Sequence, residues 1–250
     1  PLEVKTAFPA VPASNAVVTA LLKELEVSLK FNSPTGHWGL PATLASGIIN
    51  VPIILPVDES GTKLVSKEIG TNGPFQILIN NSGGPPSGPL IEAQPHDFEK
   101  AFLRHVLASQ TLVQLLLDGM KSSNYGRIVN IISTSVKEPI PGLGVSNTIR
   151  GAMASWSKTL SKELPSEITI NNVLPGFTNT ERLTELKKTL SVQKGISQEE
   201  VENAWLSTVP EGRLADPSEL GQVVAFLSSP AASFVRGTSI PVDGGRTGSI

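Results

Sequence analysis

At 250 residues, 39% of them hydrophobic and 17% charged, the chain is long enough to bury a core without disulfide or metal staples. A net charge of −2 argues against nucleic acid and anionic membrane surfaces as partners, and the absence of cysteine excludes disulfides, thiolate nucleophiles and cysteine metal ligands. No apolar run reaches transmembrane length and the first residues lack a charged-then-apolar secretory pattern, so a cytoplasmic protein is expected.

Residues 1–60 are rich in Pro and Gly, whereas 75–250 alternate between strand-like and helix-like segments. The run at 51–57 reads as an extended segment whose prolines point to interruptions or an edge. A short apolar run at 75–79 leads into Asn80-Asn81-Ser82-Gly83-Gly84, hence a strand and a turn. Phe102, Val106, Val113, Leu116, Leu117 and Met120 follow helical steps and predict a helix over 97–120. A second strand pattern at 128–132 precedes the helical series Ile149, Met153, Trp156, Leu160 and Leu164, a helix over 147–164. The strand pattern at 168–173 ends at Pro175-Gly176, and 181–207, with Leu183, Leu186, Leu190 and Trp205, reads as a loop that closes over a ligand. Leu220, Val223, Val224 and Leu227 mark a last helix, capped by Ser218 or by Asp216 with Pro217 behind it. A strand at 239–243 closes the series. Apolar strands separated by helices imply one domain over 1–250, an α/β three-layer fold with a doubly wound parallel sheet.

In such sheets ligands bind beyond the carboxyl ends of the strands, and four motifs fall there in order: Asp58, the turn Asn80-Asn81-Ser82-Gly83, the stretch Asn171-Asn-Val-Leu-Pro175-Gly176-Phe-Thr178-Asn-Thr180, and Val235-Arg-Gly-Thr-Ser-Ile-Pro-Val-Asp-Gly-Gly245. Over residues 50–245 the chain resembles the short-chain dehydrogenase/reductase family, and its carboxy-terminal half resembles oxoacyl-carrier-protein reductases. The resemblance implies a Rossmann-type fold and an NAD(P) cofactor. Asp58 matches the adenine-contacting Asp, Asn80, Asn81, Ser82 and Gly83 match the turn beside the adenosine, and Pro175, Gly176, Thr178 and Thr180 match the nicotinamide loop. The family's glycine-rich phosphate loop is best matched by Pro9-Ala10-Val11-Pro12-Ala13-Ser14-Asn15-Ala16, with Ala10, Ser14 and Ala16 at the glycine positions. There Cβ atoms crowd the backbone's approach to a pyrophosphate, although Ser14 or Asn15 can cap the helix that follows. A rival stretch at 35–40 leaves 22 residues from Gly36 to Asp58, short of the roughly 30-residue βαβ unit that must intervene. After 27–31 neither Asp nor Arg appears, so NAD and NADP stay equally open.

The catalytic set departs further. Ser133 matches the family Ser, and counting onward puts Ser146 at the Tyr position and Arg150 at the Lys position, where a ribose-binding role is also implied. His105 falls at the Asn position. The one tyrosine, Tyr125, lies eight residues before Ser133 and is not the family acid. Each assignment has a plainer rival: Ser133 as a strand-end serine, Ser146 as the cap of a helix beginning at Asn147, Arg150 in a surface ion pair, His105 packed at an interface. A serine is a far weaker acid than a tyrosine of pKa about 10, so the proton is left to His105 or Lys137. No histidine pair has metal-ligand spacing. The resulting expectation is an NAD(P)-dependent oxidoreductase acting on a small-molecule carbonyl or alcohol, as a homo-oligomer (dimer or tetramer). Two alternatives share the fold: a lyase similar to halohydrin dehalogenases, which lack the glycine loop and carry Arg at the Lys position, and a binding protein without chemistry.

Overall fold

The computed structural model describes residues 48–51, 74–85 and 87–249. Its sheet holds five strands among those residues, β1 (Ile48–Val51), β2 (Ile77–Asn80), β3 (Gly126–Ile131), β4 (Ile168–Pro175) and β5 (Ser239–Val242). They pair in parallel in the order β1-β2-β3-β4-β5. The strand expected at 51–57 overlaps β1 at Val51, and its remainder lies outside the described residues, as do Ala10, Ser14, Asn15, Ala16 and Asp58.

The strands read as apolar runs because both faces of the sheet are covered. Leu78, Ile128, Ile168 and Ile170 point to one face and pack with Leu112, Leu116 and Met120. Ile77, Ile79, Val129, Ile131 and Val173 point to the other and meet Leu220, Val224 and Leu227. The first group of partners lies on α2 (Ala108–Ser122) and the second on α6 (Pro217–Leu227). This is the doubly wound α/β arrangement expected from the sequence.

Local chemistry sets the helix ends. Asp216 is the N-cap of α6, with Pro217 at the first helical position and a reciprocal capping box to Glu219. The expected 97–120 helix is interrupted: α1 (Pro95–Phe102) and α2 flank a π segment, Leu103–Leu107. Such bulges insert a residue into the helical turn and rotate the faces on either side, and His105 lies in this one. The helix expected at 147–164 begins earlier, as α3 (Gly144–Glu163), with Leu143 at its N-cap. Its start is pressed so closely on the preceding loop that a Cβ at Gly144 would stand 2.6 Å from the Leu90 Cα. Ser146 is therefore inside the first turn and does not cap the helix.

The loop expected at 181–207 is instead two helices, α4 (Glu181–Lys194) and α5 (Gln198–Leu206). Thr180 caps α4 by accepting from the Leu183 N–H, Gly195 ends it at φ 64°, and Ser197 with Glu200 forms the capping box of α5. Trp205 stacks on Phe177 with ring centroids 5.1 Å apart, which ties α5 to the turn after β4.

Candidate active site

Asparagines cross the sheet near its carboxyl edge. Asn80, Asn130 and Asn172 are register partners on β2, β3 and β4, and Ser239 follows on β5. The Asn80 amide donates to Asn130 Oδ1 at 2.8 Å, Asn130 to Asn172 Oδ1 at 2.9 Å, and Asn172 to Ser239 Oγ at 3.0 Å. The three amides are buried, so satisfying one another offsets much of the cost of removing them from water. Asn80 is thus committed through its nitrogen to the sheet, while its Oδ1 is buried without a partner among the described residues. Asparagines at matching register on successive strands were the available sequence signal, and register is what the sequence reading lacked.

Beyond this ladder the chain turns through Asn81, Ser82, Gly83 and Gly84. Ser82 Oγ lies 2.5 Å from His105 Nδ1, so the buried histidine of the π segment is held against the turn after β2. Arg150, only 6% exposed, donates to the carbonyl oxygens of Ser82 and Ile131, each at 3.2 Å. Ser82, His105 and Arg150 therefore form one connected cluster. His105 is itself buried; burial first, and then the charges of Arg150, Arg104 and Arg182, pull its pKa from 6.5 down to about 3. The ring is neutral at physiological pH and has no imidazolium proton to give. Arg150 is brought down to about 10 by burial and then by the Arg182 charge, which leaves it protonated. Arg150 forms no ion pair among the described residues.

Ser133 is the N-cap of a short turn, Thr134–Val136, and its Oγ accepts from the Ser135 N–H at 3.0 Å. One acceptor site is used, and the hydroxyl proton remains available. Ser146 sits one helical turn before Arg150 and shares its face of α3. Its hydroxyl makes no hydrogen bond among the described residues. Tyr125 is engaged elsewhere: its hydroxyl donates to the Ser228 carbonyl at 2.8 Å, and burial pushes its pKa up to about 12.

The turn after β4 is held against β5. The Gly176 N–H bonds to the Val242 carbonyl at 2.9 Å, and a Cβ at Gly176 would stand 2.7 Å from the Asp243 Cα, so only glycine fits there. The Thr178 hydroxyl donates back to the Gly176 carbonyl at 3.4 Å, and the Thr180 hydroxyl is occupied as the α4 cap. By contrast a Cβ at Gly83 would meet nothing within 4 Å among the described residues.

Arg182, in the first turn of α4, was not singled out from the sequence. It reaches the same turn: Nη1 lies 3.4 Å from the Gly84 carbonyl, and a Cβ at Gly84 would stand 2.6 Å from Nη2. Among the described residues no group of three His, Asp or Glu side chains is placed to hold a metal ion, and no helix is long and apolar enough to cross a membrane.

A family model described as enoyl-(acyl carrier protein) reductase matches residues 56–247. Among curated proteins, the chain is 30% identical over 179 residues to the NADPH-dependent reductase BacG of Bacillus subtilis, covering 71% of this chain and 69% of that protein. It is 30% identical over 190 residues to the 3-oxoacyl-[acyl-carrier-protein] reductase FabG of Vibrio cholerae, covering 75% and 71%. It is also 30% identical over 176 residues to a 2,3-dihydroxy-2,3-dihydro-p-cumate dehydrogenase of Pseudomonas putida, spanning 70% of this chain and 65% of that relative's length. Among solved structures, YwfH, an NADPH-dependent reductase involved in bacilysin biosynthesis, superposes with a TM-score of 0.74 at 26% identity, over 81% of this chain and 78% of that one. The L-sorbose reductase of Gluconobacter frateurii, solved with NADPH and L-sorbose, gives 0.72 at 26% identity, over 80% and 76%. With the sheet order, the strand-end turns and these matches in agreement, the chain belongs to the short-chain dehydrogenase/reductase family.

Proposed function

We propose that the protein, acting as one domain over residues 1–250, is an NAD(P)-dependent oxidoreductase that interconverts a carbonyl and an alcohol on a small molecule. The observation that carries this reading is the buried Arg150 guanidinium, which joins the ends of β2 and β3 through the Ser82 and Ile131 carbonyls. It puts a permanent positive charge at the strand ends, where this class of sheet binds its ligands. The open backbone at Gly83 and the close-set Gly176 turn fit a dinucleotide lying along that edge. NADPH named with BacG, YwfH and the sorbose reductase is consistent with such a cofactor, whose nicotinamide exchanges the hydride.

The chain's own residues orient and stabilise. Ser133 and Ser146 offer hydroxyl protons to a carbonyl oxygen, and the nearby Arg150 charge favours the alkoxide that develops as the carbonyl is reduced. Arg150 binds ribose hydroxyls or oxyanions with its remaining N–H groups but does not donate a proton. His105, neutral and bonded to Ser82, positions the turn. Proton delivery then falls to solvent or to Lys137, beside the Ser133 turn. Part of the 10²–10⁴-fold acceleration that a tuned acid supplies is absent, and turnover is correspondingly slow. Phe102, Leu103 and Leu107, 41–45% exposed on one stretch of helix, support assembly as a homo-oligomer.

Titration of NADH and NADPH separately, followed by tryptophan emission and melting temperature, tests the reading. Saturable binding of at least one is expected, with roughly 2.7 kcal/mol of stabilisation at 100 times the dissociation constant. A Ser133→Ala variant should bind it equally but turn over ketones at least about tenfold more slowly. Absence of binding by both nucleotides overturns the proposal.

A further inference from the structure

The segment after β5 runs back over the carboxyl edge of the sheet. Asp243 holds the reversal: its carboxylate accepts the Gly245 N–H at 3.1 Å and the Thr247 N–H at 2.9 Å. Gly244 and Gly245 stand at φ 63° and 82°, left-handed conformations that other residues rarely adopt. Arg246 then lies 4.9 Å over the Phe177 ring, and that ring stacks on Trp205 of α5. Two residues further on, the Gly248 and Ser249 N–H groups donate to one oxygen, Glu138 Oε1, at 2.7 and 3.0 Å. The Glu138 N–H in turn bonds the Thr134 carbonyl at 3.1 Å, continuing the turn that Ser133 caps. Phe177 follows β4 and Glu138 follows β3, and β3, β4 and β5 are neighbours. The segment therefore crosses two strand ends and ties the Ser133 turn, the turn after β4 and α5 to one another.

Its two ends are held differently. Near β5 the carboxylate of Asp243 and the Phe177 ring fix it, whereas Gly248 and Ser249 are exposed and rest on Glu138 alone. Contacts made of exposed hydrogen bonds without buried side chains open locally at small cost, and here one carboxylate oxygen releases both bonds. We propose that residues 246–249 form a latch over the β3–β4 end of the site, with Glu138 as its catch, whose opening gates the exchange of ligands there. The inference rests on the carbonyl–alcohol reading above and adds a conformational device to it. A dinucleotide lying at the turn after β2 and at Arg150 leaves the latch free to close over the turn after β4. The latch makes no hydrogen bond to the turn after β2 among the described residues, so it governs how fast a ligand comes and goes more than how tightly it is held.

Hydrogen exchange read by mass spectrometry follows the latch without any ligand, and trypsin reads it a second way at the Arg246–Thr247 bond. In Glu138→Ala, exchange over residues 243–249 and cleavage after Arg246 should both rise at least about fivefold, the range of two charge-assisted bonds at an exposed site. The melting temperature should stay within about 2 °C, because no packed side chain is lost. Glu138→Gln, whose amide oxygen accepts the same two N–H groups, should recover most of the protection. Stopped-flow mixing with NADPH should give association and dissociation rate constants both at least about threefold higher in Glu138→Ala, with Kd within about twofold. The proposal is overturned if exchange and cleavage do not change in Glu138→Ala, or if Glu138→Gln behaves as the alanine variant does. A larger fall in melting temperature also overturns it, because Glu138 then supports the fold. Nucleotide binding at wild-type rates in a freely exchanging Glu138→Ala segment defeats the gate alone. A wild-type protein that binds neither NADH nor NADPH defeats the redox reading and the gate together.

Discussion

Arginines occupy both ends of the sheet, and they are treated differently. At the amino ends of the strands Arg127 donates to three carbonyl oxygens and Arg236 to four. Arg127 donates to Gly126, Glu167 and Ser229 and lies 4.0 Å over the Tyr125 ring. Arg236 collects the carbonyls of Ser161, Leu164, Pro165 and Ile168, closing the end of α3 onto the start of β4. At the carboxyl ends Arg150 holds two carbonyls and Arg182 one. A guanidinium whose donors are consumed by main chain is a structural bolt. One held by fewer carbonyls keeps more of its donors for groups outside the main chain, and that difference in donor use separates the ends of the fold.

Arg236→Ala is the strongest way to break that comparison. Four carbonyls lose their donor, and unfolding free energy from urea denaturation should fall by about 3 kcal/mol. Nucleotide affinity per folded molecule should be unchanged. A loss below about 1 kcal/mol would mean that the carbonyls find water and that the amino end is no bolt.

His105 reports how positive and dry the opposite end is. Its folded pKa of about 3 lies below the 6.5 of the unfolded chain, so protonation favours unfolding. The stability it contributes is full above pH 6.5 and is lost progressively as the pH falls toward 3. Between pH 7.5 and 5 the protein should lose about 2 kcal/mol through this group. In His105→Gln the same limb should be flat; an unchanged slope would show that the ring is not held neutral.

Arg150→Met should have the smallest effect on stability, within about 1 kcal/mol by denaturant titration, because removing an unpaired buried charge offsets the lost hydrogen bonds. Turnover should nevertheless be lost. A destabilisation comparable to that of Arg236→Ala would place Arg150 among the bolts and erase the distinction between the ends.

Much of the architecture was legible in particular residues. The apolar runs at 75–79, 128–132, 168–173 and 239–243 overlap β2 to β5, and Asp216-Pro217 marked the start of α6 where the capping box stands. Of the residues matched by spacing, Ser133 caps the turn after β3, and Ser146 and Arg150 lie one turn apart on α3. Three features were hidden. The π segment at Leu103–Leu107 preserves the apolar spacing on either side, so periodicity alone read one helix. The helices at 181–206 bury little, none of α4 being buried, so their apolar signal was weak and only Thr180, Gly195 and Ser197 announced their ends. The contact of Arg182 with Gly84 joins residues 98 positions apart, a distance at which local pattern is silent.

By itself the sequence determined the order of strands and helices, the faces they bury and the family's strand-end turns, because periodicity, capping and turn chemistry act over a few neighbouring residues. Tertiary structure alone decided the register that lines Asn80, Asn130 and Asn172 across the sheet, the burial that keeps His105 neutral, and the convergence of Arg150 and Arg182 on one turn. Those depend on which strand ends meet and how much water remains between them, and both follow only from the assembled sheet.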